Sequence, residues 1–278
     1  MIAQPTSAQK HISHRATHTL GMAQLGLRGL AEEWWLRHLG DVHWQLIAAS
    51  LGQTTTVFKD ASGRQVYAAF CATEFAQLNP DHIGLGDVLE VNSILWAAGR
   101  SRLQSNHVLM VGNVIVARFR LISTFVCHEK DGLNSSICRT MPYLVPVLDP
   151  APDAFAAQTS QTARACRAQD KTWEKNVLIH PCVGTDFNAV GLLYFPSFTR
   201  FFDQVERCLE NSKEWAPVRC RRVHYFGNIE RGEDVIGART SSGKPVGLEL
   251  WHSAGHAKPT KKLAHSALQR FPIRSKPA

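Results

Sequence analysis

Apolar positions recur at steps of three and four in two widely separated stretches of the chain. Phe195, Phe198, Phe202, Val205 and Leu209 mark one face of a helix near 195–211, with Asp203, Glu206, Arg207 and Glu210 on the other. Trp35, Leu36, Leu39 and Leu46 do the same for a helix near 31–50, preceded by Gly29. Downstream of each helix comes an alternating, strand-like run, Arg64–Phe70 in the first half and Arg221–Phe226 in the second. A glycine–acid–valine step then opens further strands, at Gly86-Asp-Val and at Gly232-Glu-Asp-Val. The first half continues with Val88–Trp96, Arg102–Val111 and Val114–Val126, broken at Ala98-Gly99-Arg100 and Gly112-Asn113. The second continues with Asp234–Thr240, Pro245–His252 and Lys261–Arg270. Helix, alternating strand, glycine–acid turn and more strands occur twice in one order, which points to an internal duplication.

These elements predict two α+β halves, 15–145 and 171–273, joined by a linker over 146–170. The stretch Pro146–Ala168 is rich in Pro, Ala, Gln and Asp and reads as a loop over the surface. A chain of 278 residues with 44% hydrophobic content can bury a core in each half.

Candidate chemistry sits on the loop ahead of the second helix. Asp186 and Asn188 are followed by Gly191, Leu192, Leu193 and Tyr194 and then by the apolar helix. A carboxylate there would stand at the mouth of a core helix whose first N–H groups can receive negative charge. The Asp-x-Asn loop, Gly-x-x-Tyr and Phe198 resemble the 4-hydroxybenzoyl-CoA thioesterase branch of hot-dog proteins, in which the carboxylate lies before the long central helix. The first half carries a second resemblance, on Gly29, Leu30, Glu32, Trp34, Leu36, Leu39, Gly40, Asp41, His43, Trp44 and Tyr67. These residues are similar to the double hot-dog biosynthetic family of bacteria that includes the acyltransferase/decarboxylase of leinamycin biosynthesis.

The resemblance implies a double hot-dog, two antiparallel sheets each wrapped round a long helix. It further implies action on an acyl-CoA and an acyl carrier protein, with the CoA thioester as substrate and no separate cofactor. A malonyl- or methylmalonyl-type substrate would lose CO2 and pass its acyl group to the carrier, with Tyr67 as the acylated residue. Residue chemistry leaves alternatives open. Ionising a free tyrosine at neutral pH costs about 4 kcal/mol, so Tyr67 could instead donate a hydrogen bond to the thioester oxygen, or pack on the helix. Arg64 lies on the opposite strand face, and Arg102 and Arg118 are other cations on neighbouring strands. Asp186 could attack the thioester or activate water, or it could stand by a leaving carboxylate. Asn188 and the N–H groups of Gly191 to Leu193 would hold the oxyanion. Glu32 is the matching acid of the first half, as a substrate-binding group or as a favourable first-turn charge. His180 is the spare candidate for a general base.

Remaining features narrow the classes. Seven cysteines without a Cys-x-x-Cys pair read as reduced thiols, and the His14/His18 and His252/His256 pairs lack a third ligand, so no metal is expected. A formal charge of +8 suits CoA phosphates or an acidic carrier protein. The basic stretch Lys258–Lys276 lacks a nucleic-acid-binding motif, and no apolar run reaches the length of a membrane span. The expectation is a cytoplasmic enzyme, with a homodimer possible. Three functions compete: a decarboxylating acyltransferase, an acyl-thioester hydrolase, and a non-catalytic module that binds a carrier protein.

Overall fold

The computed structural model describes residues 11–168, 175–210, 216–240, 247–255 and 259–272. The first half runs β1 (Ile12–Thr19), β2 (Leu25–Gly26), β3 (Gly29–Leu30), α1 (Glu32–Ser50), β4 (Phe58–Lys59), β5 (Gln65–Gln77), β6 (Val88–Ala97), β7 (Arg102–Val111), β8 (Val114–His128) and β9 (Ile137–Arg139). After α2 (Phe155–Ala168), the second half runs β10 (Asn176–Ile179), α3 (Val183–Asp186), α4 (Ser197–Glu210), β11 (Val218–Tyr225), β12 (Asp234–Arg239), β13 (Leu248–Ser253) and β14 (Pro259–Arg270). No helix among the described residues is long and apolar enough to cross a membrane.

The main strands form one sheet in the order β1-β6-β7-β8-β5-β11-β14-β13-β12-β10, and every ladder between them is antiparallel. Read outwards from the junction, each half places its main strands in the same sequence: the one after the helix, then the last, the middle, the next, and the one before the helix. The two sheets join where Ala72–Ala76 of β5 pairs with Cys220–His224 of β11. Glycines at positive φ make the expected turns into β6 and β8, at Gly86 and Gly112.

Helices α1 and α4 lie on one face of this sheet and share one apolar cluster with it. Leu36 and Leu39 of α1 and Phe198, Phe201, Phe202 and Val205 of α4 pack with Val91, Leu109, Phe119, Val223 and Leu250. Each such side chain contributes roughly 1.5–3 kcal/mol on burial, which fixes the face each helix presents. The sheet makes room where α4 crosses: a Cβ on Gly237 would stand 2.0 Å from Val205.

The core also holds polar groups. Ser123, His43, Ser105, His107 and Ser93 form a continuous hydrogen-bonded chain between α1 and the sheet, with links of 2.7–2.8 Å. Burial keeps both imidazoles neutral, pulling His43 down to about 3 and His107 well below its ordinary value.

The segment between the halves differs from the loop expected. Residues 155–168 form α2, which covers the outer face of the sheet across the junction. Phe155 is buried against Ala72 and Ile122, and its ring lies 4.1 Å and 5.3 Å from the guanidinium carbons of Arg120 and Arg222. Both arginines also pair with Glu74. At the far end, Lys262 Nζ reaches the Cys166 carbonyl at 2.5 Å and Glu249 at 2.6 Å. Buried positions Phe155, Thr159 and Cys166 are too few and too mixed to make an apolar stripe legible in the sequence. The end of the expected linker, 169–170, lies outside the described residues.

Candidate active site

Strands β5 and β11 pair only as far as Ala72 and His224. At that point β5 carries a bulge between Phe70 and Ala72, and β11 ends one residue on, at Tyr225. The gap between Tyr67–Cys71 and Tyr225–Asn228 opens into a cavity of about 570 Å³ at the junction of the halves. One face of α1 forms another wall, through Arg37, Gly40, Asp41 and Trp44 at the helical steps of three and four. The loop 187–195, together with Ile137, Cys138 and Arg139 of β9, closes the rest.

Loop 187–195 is held at many points. Asn188 Oδ1 accepts the N–H groups of Val190 at 3.1 Å and Leu192 at 3.0 Å, and Gly191, at φ +78°, donates to the Asn188 carbonyl. The Leu193 N–H goes to Asn228 Oδ1 at 2.9 Å. The buried Asn134 donates to the carbonyls of Gly191 at 2.8 Å and Ile229 at 2.7 Å. Phe195 then packs with its ring centroid 4.1 Å from that of Phe70, the rings tilted by 43°, and a Cβ on Gly40 would meet its ring at 2.9 Å, closer than a side chain there can sit without displacing it.

The positions singled out in the sequence part company here. Tyr67, Asn188, Leu192 and Leu193 line the cavity; Asp186, Gly191 and Glu32 do not. Asp186 is 1% exposed, pairs with Arg200 and accepts the Cys182 N–H at 2.7 Å, so its carboxylate ties α3 to α4. The N–H groups of Gly191 and Leu192 are consumed by Asn188 and that of Leu193 by Asn228, and α4 begins only at Ser197, so no oxyanion site forms from them. Glu32 points to the other half, where it meets the fully buried Arg221 at 3.0 Å. Burial pushes its carboxyl up to about 7 against the pull of Arg221. His180 is an exposed partner of Asp234 at 2.7 Å, away from the cavity.

Among the described residues, the one carboxylate lining the cavity is Asp41. It is solvent-exposed and has no hydrogen bond or ion pair among the described residues, and partial desolvation raises its carboxyl from the ordinary aspartate value. Nearby, burial and the Asp41 charge push the Tyr194 phenol up to about 12, although the Arg37 guanidinium lies 5.0 Å from its ring. Tyr67 is also raised, first by burial, so both phenols keep their protons. Neither hydroxyl, nor the Asn188 NH2, has a partner among the described residues. Exposed Arg139, Arg167 and Lys261 line the same cavity and add positive charge. The arrangement supplies one base, several neutral donors, an aromatic wall and cations. Asp41 lay within the similar stretch of the first half but carried no local mark; its spacing from Arg37, Gly40 and Trp44 was the signal.

No protein-family profile matches the sequence, and no curated protein matches it. Solved structures do. The 12:0-ACP thioesterase from Umbellularia californica superposes with a TM-score of 0.65 at 13% identity, over 94% of this chain and 98% of that one. An acyl-ACP thioesterase from Bacteroides thetaiotaomicron gives 0.62 at 8% identity, over 92% and 96%. The fold is that of hot-dog thioesterases. At such identities the likeness carries the fold alone, and the chemistry has to be argued from the cavity.

Proposed function

We propose that the protein is a double hot-dog acyl-thioester hydrolase that takes an acyl-CoA or acyl carrier protein substrate into the cavity between its halves. The carrying observation is a carboxylate, Asp41, with no hydrogen bond or ion pair among the described residues and a raised pKa, sharing that cavity with the Tyr67 hydroxyl and the Asn188 NH2, which have no partner there either. Asp41 would take a proton from water as the water oxygen attacks the thioester carbonyl. Tyr67 and Asn188 would donate to the oxyanion, and the proton would pass to the sulfur as the C–S bond breaks, giving a carboxylic acid and a free thiol. A buried phenol that holds its proton suits a donor better than an acylated nucleophile. With Asp186 engaged by Arg200, the decarboxylating transfer implied by the sequence resemblance lacks the carboxylate assigned to it; it is read out in the same assay.

The test is turnover of a panel of acyl-CoAs and acyl carrier proteins, malonyl- and methylmalonyl-CoA included, with free acid, CO2 and loaded carrier followed by mass spectrometry. Free acid and thiol are expected. Asp41→Asn should lower kcat by about 10²–10⁴ with KM little changed, and Tyr67→Phe by about 10²–10³. Because the base must be deprotonated, wild-type activity should fall on the acid side with a midpoint above the ordinary aspartate value, and Asp41→Asn should lose that limb. CO2 release with a loaded carrier would favour the transferase instead. Hydrolysis unaffected by Asp41→Asn would remove Asp41 from the mechanism.

A further inference from the structure

Cys127 of β8 and Cys138 of β9 are directly opposed in their ladder, with Sγ atoms 3.5 Å apart. Opposed residues of an antiparallel pair have Cα atoms about 4.5–5.5 Å apart, inside the ~4.4–6.8 Å span of disulfides. The two thiols differ in access. Cys127 is 0% exposed, whereas Cys138 is half-buried and lines the cavity. Tyr67 pairs with Val126, the chain neighbour of Cys127, in the β5–β8 ladder.

We propose that Cys127 and Cys138 form a redox-active dithiol in the cavity wall that exchanges with small-molecule disulfides and slows turnover when closed. The Cys138 thiolate attacks one sulfur of the incoming disulfide, forming a mixed disulfide and releasing one thiol. Cys127 then gives up its proton and attacks Cys138 Sγ, expelling the second thiol and leaving a Cys127–Cys138 bond. Two protein thiols are oxidised and one small-molecule disulfide is reduced. The Cys138 thiol is held up to about 11, chiefly by its hydrogen bond to Cys127, so the exchange quickens as pH rises.

Closure shortens the 3.5 Å sulfur separation to about 2.05 Å. It moves the lining Cys138 side chain and ties β9, with Ile137 and Arg139 of the cavity wall, covalently to β8. A misplacement of about 1 Å at a positioned site can cost ~10²-fold in rate, so kcat/KM should fall at least about tenfold in the oxidised protein and return with dithiothreitol. This slowing rests on the proposed hydrolysis; the dithiol itself does not.

The test uses the full chain at about pH 8 with glutathione disulfide, followed by peptide mapping without reduction. Wild type should give a peptide linked between Cys127 and Cys138. Cys127→Ser should instead carry a stable glutathione adduct on Cys138, while Cys138→Ser should leave Cys127 unmodified. Adducts on the exposed Cys182 and Cys208 without the Cys127–Cys138 link would overturn the dithiol. Equal turnover before and after closure would overturn its control of the site. A wild type that hydrolyses nothing in either state would remove the proposed reaction and the slowing with it, and the peptide map would still decide the dithiol.

Discussion

Replacing Arg221 with Met should destabilise the whole chain, and by an amount that grows with pH. The guanidinium is 0% exposed and joins β11 to two helices: to α1 through Glu32 at 3.0 Å, and to α4 through Asp203 and the Thr199 carbonyl at 3.2 Å. Burial alone would lower the Arg221 pKa, but the Glu32 and Asp203 charges more than reverse this and hold it raised. Removing one partner of a buried pair typically costs about 3–5 kcal/mol. Asp203 is partly exposed and can rehydrate, so the lower end is expected near pH 6. Glu32 sets the pH term. Its folded-state pKa is about 7 with Arg221 present and goes higher without it. A raised carboxyl contributes its stability at low pH and loses it as pH rises. Below about 7, Glu32 is protonated in both folded proteins and the deficit is flat. Above 7, folded wild type releases the proton and the variant keeps it, so the deficit grows by up to ~1.4 kcal/mol per pH unit. At pH 8.5 this adds at most about 2 kcal/mol. Urea unfolding at pH 6 and 8.5 reads both quantities, and Glu32→Gln in the Arg221→Met background should abolish the pH-dependent part alone. A deficit below about 1 kcal/mol, or one that does not grow with pH, would refute this account.

Two further outcomes follow from the core and the cavity wall. His43 is neutral when folded, with its pKa near 3 against about 6.5 unfolded. The unfolded state therefore binds the extra proton, and stability should drop by ~1.4 kcal/mol per pH unit for this residue as pH falls below about 6.5. His43→Gln, compared by denaturant unfolding at pH 6.5 and 4.5, should be less steep by that amount whatever its stability at neutral pH; an unchanged slope counts against a buried neutral imidazole. Gly40→Ala should push the new Cβ against Phe195, whose ring it would meet at 2.9 Å. Overpacking of this kind costs about 1–3 kcal/mol, and because Phe195 lines the cavity, KM for acyl thioesters should shift along with the melting temperature. A variant that melts and binds like wild type would show that the ring yields freely.

Much of the architecture was legible because periodicity is a local property. The faces of α1 and α4 follow from side chains three and four apart, and Arg102–Val111 is bounded in the chain by the same residues as in the fold. The order of elements read twice along the chain recurs in the strand order on either side of the β5–β11 pairing, and Tyr67, Asn188, Leu192 and Leu193 line one cavity there. What the sequence could not rank is which polar group is left over once the chain has folded. Asp186 and Glu32 carried the stronger local pattern, yet each is spent on an arginine, Arg200 and Arg221, brought by another element. Asp41 belonged to the resembling stretch of the first half but was given no role of its own, and among the described residues it is the carboxylate without a partner at the cavity. His43 and α2 show the same dependence: one finds its serines, and the other its arginine-lined sheet face, only across long separations in the chain. Local pattern determined the elements and their faces. Tertiary structure decided which charges are neutralised, because a side chain's partners depend on where the other strands and helices arrive.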